Sequence, residues 1–128
     1  MTGATATQPD ASALFQAGRL RDAVALQTAT VKARPADTAA RLLLAELLCF
    51  AGALERADAQ LDLLGHQDPG QALGLAPFRQ VLRGETERRQ HFAEGRLPGF
   101  PVPPTETMRR LLETGVELRR GAQAEAGA

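Results

Sequence analysis

The residues of this chain that could do chemistry are few and scattered. Its two histidines, His66 and His91, lie far apart, and neither has a second histidine or a cysteine at metal-ligand spacing. The single cysteine, Cys49, sits among Leu47, Leu48 and Phe50 with no base or positive neighbour to activate it, and reads as a buried structural thiol. Carboxylates such as Glu46, Glu55, Glu85 and Glu87 are interspersed with arginines, the pattern of a solvated helix face rather than of an acid–base pair. A glycine-rich phosphate loop is absent, as is a strand pattern to precede one. The expectation is a non-enzyme with no catalytic residue, metal or cofactor.

One basic concentration stands out, Arg79, Arg83, Arg88 and Arg89, followed by Arg96. Glu85 and Glu94 dilute its field, and a nucleic-acid face would want more net charge and stacking aromatics. Two readings stay open: a rim that grips carboxylates of a protein partner bidentately, or intramolecular Arg–Glu pairs.

Composition narrows the classes further. The 128 residues suit one domain, and with 44% apolar residues, only 4% aromatic and no Trp or Tyr, Leu and Ala must carry the packing. Both suit helices. The formal net charge is zero, so no global field draws in nucleic acid or an anionic membrane. A lone cysteine excludes an internal disulfide and fits a reducing cytoplasm. The N-terminus has neither a basic region nor a long apolar core, and no run of about 18 apolar residues occurs anywhere. A cytoplasmic location is the expectation.

The positioning elements are written in a repeat. Gly18, Leu20, Ala23 and Pro35 recur 34 positions later as Gly52, Leu54, Ala57 and Pro69, with Leu14 and Leu48 in the same register. A period of 34, with glycine between two helical segments, a small residue early in the second and proline at its close, is the signature of tetratricopeptide helix–turn–helix units. Glycine permits the sharp turn, alanine lets two backbones approach, and proline ends the unit.

In chain order, residues 1–9 read as a disordered lead-in and 10–96 as the tetratricopeptide-like domain. Asp10 is a plausible N-cap for a short helix to residue 17; a second helix covers 20–33, with Leu20, Ala23, Val24, Gln27 and Val31 at helical spacing. Asp37 or Thr38 starts a third, apolar on nearly all sides from Leu42 to Phe50 and therefore central. The fourth covers 54–65, stopped by Asp68, Pro69 and Gly70. A third copy then begins but has Thr86 where the turn glycine belongs, so one long helix is expected over 73–93. It carries Leu75, Phe78, Val81, Leu82 and Phe92 towards the core, with Pro77 in its first turn or at a kink. This helix caps the second repeat. Residues 97–104, rich in proline, form a linker; Thr105 caps a last helix to residue 120 with Met108, Leu111, Leu112, Val116 and Leu118 in a partial stripe. Residues 121–128 read as a disordered tail. His66 is placed in the turn before Pro69, and His91 on the solvent side of the long helix. The fold class is thus all-α: two tetratricopeptide-like units, a long capping helix and a C-terminal helix.

Such stacks bind peptides or helices on the face made by the first helix of each unit. Here that face includes Leu42, Glu46 and Cys49, with Arg79 and Arg83 as candidates on the long helix. Domains that clamp a C-terminal carboxylate place Lys and Asn at the positions of Leu42 and Glu46, so this groove suits an apolar helix stripe better.

The sequence also resembles the ImpE/TagJ (SciE) family of bacterial type VI secretion accessory proteins. The resemblance is carried by residues 43–49, Gly52, Glu55-Arg56-Ala57 and Gln60-Leu61-Asp62, and above all by Phe78-Arg79-Gln80-Val81-Leu82-Arg83-Gly84-Glu85, then His91-Phe92-Ala93-Glu94-Gly95-Arg96 and Pro98. It implies a cytoplasmic, non-enzymatic adaptor that binds a helix of the small subunit of the contractile sheath and is linked to the ClpV-type ATPase that recycles the sheath. Members usually continue into a second domain. The alternatives are a generic tetratricopeptide chaperone or scaffold for a secreted protein and, more weakly, a regulatory domain with Cys49 as a redox sensor.

Overall fold

Two turns of the same geometry, 34 residues apart, build the first half of the molecule. The computed structural model describes residues 8–121. Most of the expected lead-in and tail therefore lies outside the described residues. Six helices follow in order: α1 (Ala11–Gln16), α2 (Leu20–Ala33), α3 (Thr38–Phe50), α4 (Leu54–Gln67), α5 (Pro69–Glu94) and α6 (Glu106–Arg119). The chain is all-α and tetratricopeptide-like, α1–α2 and α3–α4 being the two units.

At the first turn the N–H of Gly18 donates to Phe15 O (2.9 Å) and that of Arg19 to Leu14 O (2.9 Å); at the second, Gly52 donates to Cys49 O (3.0 Å) and Ala53 to Leu48 O (2.9 Å). Both are Schellman closures that satisfy carbonyls at a helix end. Both glycines have φ 76°, the left-handed region that glycine enters without penalty. Five residues beyond each glycine sits an alanine, Ala23 or Ala57, with 0% exposure. At those positions two helices approach so closely that only a methyl fits. N-caps fix the starts of α1 and α3, where Asp10 Oδ1 accepts from Ala13 N (2.8 Å) and Asp37 Oδ1 from Ala40 N (2.9 Å).

The chain divides into two compact units, one ending at Leu82 and one beginning at Arg83, within α5. In the first, Val31, Leu44, Leu48, Leu54, Leu61, Leu64, Leu75 and Leu82 form the main core, and Ala11, Leu14, Ala23 and Leu47 form a smaller cluster under α1. Two buried polar side chains are built into it. Gln27 donates to Ala40 O (2.8 Å), tying α2 to the start of α3. Arg41, 7% exposed, donates to Gln67 Oε1 (3.0 Å), Gln60 Oε1 (2.7 Å) and Pro35 O (3.1 Å), so the loop before α3 is locked to α4. Neutral oxygens satisfy this buried cation.

In the second unit, residues 97–104 and α6 enclose an apolar cleft of about 420 Å³ lined by Leu97, Phe100, Leu112 and Val116, among others. Thr105 Oγ1 caps α6 by accepting from Met108 N (3.3 Å). The guanidinium of Arg119 lies where a Cβ would sit on Gly95, but the end of a long side chain can move aside; it is the φ of 73° that favours glycine in the turn after α5.

Several expectations need correction. The long helix begins at Pro69, not residue 73: proline is well suited to the first helical position, where its missing N–H has no partner to lose. Pro77 consequently lies in the helix interior. The carbonyl of Leu73, which loses its usual donor, belongs to the exposed stretch 71–74, where water can serve it. Val81 and Phe92 are exposed, not in the core. Leu75, Phe78 and Leu82 define the inward stripe, and at about 100° per residue Val81 falls about 90° away from its centre. Phe92 instead lies under the guanidinium of Arg88 at 5.7 Å. Phe50 is 67% exposed at the end of α3. His66 is in the last turn of α4, its Nδ1 2.8 Å from Asp62 O. His91 is half-buried, its Nδ1 3.0 Å from Arg96 O, and its ring faces Gly115 of α6 rather than open solvent.

Gly18 and Gly74 both have open space where a Cβ would go, but only Gly18 has a positive φ. Gly18→Ala is therefore expected to destabilise the fold by about 1 kcal/mol and Gly74→Ala, in a helix, to stabilise it by about 0.5–1 kcal/mol, both read from urea denaturation midpoints.

Candidate functional site: the inner face of α3

The helix α3 packs between neighbours through Ala40, Leu44, Ala45 and Leu48, and helical spacing then turns the opposite side outward. Leu42, Glu46 and Cys49 lie along that side at intervals of four and three residues. Leu42 and Cys49 are half-buried at the edge of the main core, where Phe78 of α5 also packs, and Glu46 is exposed. On the flank towards α1, Leu43 and Phe50 join Phe15, and the Phe15 and Phe50 rings meet with centroids 4.8 Å apart and an interplanar angle of 47°. The result is a mostly apolar face with one carboxylate in its middle. Burial, and then the charge of Glu46, push the Cys49 thiol pKa up, so the thiolate a redox sensor needs is disfavoured.

The arginines expected beside this face go elsewhere. Arg79 turns to α4: its Nε and a terminal nitrogen grip both oxygens of Asp58 (2.7 and 3.0 Å), and its other terminal nitrogen donates to Asp62 Oδ1 (2.8 Å). This fork holds the guanidinium pKa above its ordinary value, through the Asp58 hydrogen bonds first. Arg83, one turn on and on the same side of α5 as Arg79, is exposed. Leu42, Glu46 and Cys49 therefore share a face that Arg79 does not join. In the second unit Arg88 and Arg89 both donate to Glu85 (2.7 and 3.0 Å from their Nε), and Arg96 donates to Gln90 Oε1 (2.9 Å). Of the two readings left open by the sequence, internal pairing accounts for Arg79, Arg88 and Arg89.

Sequence reasoning missed the aromatic flank. Phe15 and Phe50 stand 35 positions apart, one off the repeat register, so the repeat does not pair them; the available signal was that each falls near the end of a helix just before a turn glycine. It also missed Asp58 and Asp62, whose four-residue spacing presents two carboxylates on one side of α4 to an arginine of the next helix.

Arg79→Ala is expected to lower stability by about 1 kcal/mol in urea unfolding, since it removes a bidentate pair and leaves two carboxylates one turn apart. Arg88 first, then Arg89, hold the Glu85 carboxyl down to about 2, against an ordinary 4.5. Because the folded value is the lower one, the stabilisation is present above the ordinary carboxylate range and is lost as pH falls towards about 2. A carboxyl-carbon NMR titration of Glu85 should give a midpoint near that value, and a midpoint in the ordinary range would show the pairs do not persist in solution.

Residues 14–76 match the tetratricopeptide repeat family. Over 103 residues the chain is 30% identical to the type VI secretion system accessory component TagJ of Pseudomonas aeruginosa, an alignment covering 80% of this chain and 37% of that protein. The chain thus spans little more than a third of the length of this curated relative. The two repeat units, the all-helical architecture and the similarity to TagJ together support assignment of the chain to the tetratricopeptide-bearing ImpE/TagJ family.

Proposed function

We propose that this chain is a type VI secretion accessory protein acting as an adaptor: the inner face of α3 captures an amphipathic helix of the small subunit of the contractile sheath and tethers it to the ClpV-type disassembly ATPase. The work is done in the cytoplasm and requires no bond to be made or broken. The observation that supports this reading most is the apolar strip that α3 leaves uncovered, with Leu42 and Cys49 half-buried on the main core, against which Phe78 of α5 also packs, and Leu43 and Phe50 sharing a cleft with Phe15 of α1. A helix presenting apolar residues at every third or fourth position can lay them along such a strip. Because the strip is preformed, little conformational entropy is lost when it is filled. The relationship to TagJ favours a secretion partner over an arbitrary one.

Leu42 is the residue to test, since it is half-buried on the strip and makes no polar contact that its loss would orphan. Titrating the chain with a peptide of the N-terminal helix of the sheath small subunit should give saturable binding, weakened at least about tenfold by Leu42→Asp with helical content unchanged. Equal affinity for both proteins would remove the strip from consideration. No binding by the folded wild-type chain would turn the reading towards a chaperone for a different protein.

A further inference from the structure

Glu46 is exposed in the middle of the inner face of α3, and no cation pairs with it among the described residues. It lines a cleft of about 230 Å³ between α1 and α3, together with Phe15, Leu43 and Phe50. That volume lies below the roughly 300–1,000 Å³ of small-molecule sites and is of the size that one long side chain fills. The cleft is divided in character. One wall is aromatic, the tilted Phe15–Phe50 pair, with Phe50 67% exposed and so presenting uncovered ring surface. The charged group is the Glu46 carboxylate. The nearest cation on α1's end of the molecule in sequence, Arg19, is already engaged by Asp22 at 2.8 Å.

An aromatic wall beside a carboxylate selects one class of side chain. A lysine or arginine lays its aliphatic stem on the rings, while its cation meets both the carboxylate and the negative face of the aromatic pair. An acidic side chain would be repelled, and a purely apolar one would desolvate Glu46 without giving it a partner. We infer that the cleft between α1 and α3 is a pocket for one lysine or arginine side chain of the bound helix, with Phe15 and Phe50 against its stem and Glu46 on its charge. This rests on the groove reading above and adds its specificity: the partner helix carries a cation at the α1 edge of its apolar stripe.

The test is a double-mutant cycle on the sheath-subunit peptide, with each of its Lys and Arg residues replaced by Met in turn, measured against the wild-type chain and Glu46→Gln. The exposed position of Glu46 means that this variant should keep its fold, which circular dichroism checks. For one peptide position, Glu46→Gln should weaken the unmodified peptide about tenfold and have almost no effect on the substituted peptide, and the difference should shrink at high salt. Alkylation of Cys49 should slow when the unmodified peptide binds. Tight binding that is indifferent to Glu46→Gln, or losses that simply add at every peptide position, would overturn the pocket while leaving the groove reading standing. Absence of any peptide binding to the wild-type chain would bring down the groove reading, and the pocket with it. Cys49 protection that rises with protein concentration alone would place a second copy in the groove and overturn the assignment.

Discussion

The constraint on which the first unit depends is the close approach of helices at Ala23 and Ala57, each wholly buried five residues after a glycine in the left-handed region. A Schellman turn aims the second helix of each unit back along the first, and a methyl side chain lets their backbones meet. The repetition extends to the backbone around it: Arg19 and Ala53, which open α2 and α4, have nearly the same dihedrals, as do Arg34 and Asp68, which close them. Once both hairpins are set, α3 is flanked on either side and has only one face left to expose. The apolar strip is thus a consequence of the packing rather than an addition to it.

Polar interactions then fix what apolar packing leaves loose. Arg41 stitches the inter-repeat loop to α4 with three neutral acceptors, and Arg79 pins α5 to α4 through two aspartates. Both are arginines because a planar fork can reach several oxygens at once. The contrast between them is instructive. Arg41 is buried and serves internal carbonyl and amide oxygens, whereas Arg79 is partly exposed and takes charged partners. Neither is left over for a ligand, and Glu46 is the charge that the inner face retains.

Much of this architecture was legible because it obeys local rules. Asp10, Asp37 and Thr105 cap where short polar residues precede apolar periodicity, and Gly18, Gly52 and Gly95 turn where a helix must reverse or stop. The failures have physical causes. Pro69 reads as a stop signal, yet the same missing N–H makes it a good first residue, and only the following helix decides between the two. Val81 is as apolar as its core-facing neighbours, but its angular position separates it from Leu75, Phe78 and Leu82 and leaves it exposed. In the candidate site, the sharing of one face by Leu42, Glu46 and Cys49 was legible from repeat position. The turning of Arg79 towards Asp58 and Asp62 was not, because it depends on where α5 lies against α4, and the Phe15–Phe50 contact joins helices out of repeat register.

A partner helix laid on the inner face of α3, as proposed, must change the surroundings of the residues it covers. The most direct measurement is the change in amide and methyl NMR shifts of the labelled chain when the sheath-subunit peptide is added. Shifts are expected to concentrate at Phe15, Leu42, Leu43, Glu46, Cys49, Phe50 and Phe78, with little change along the outer sides of α2 and α4. Shifts confined to α6 and residues 97–104, with the inner face unmoved, would contradict it.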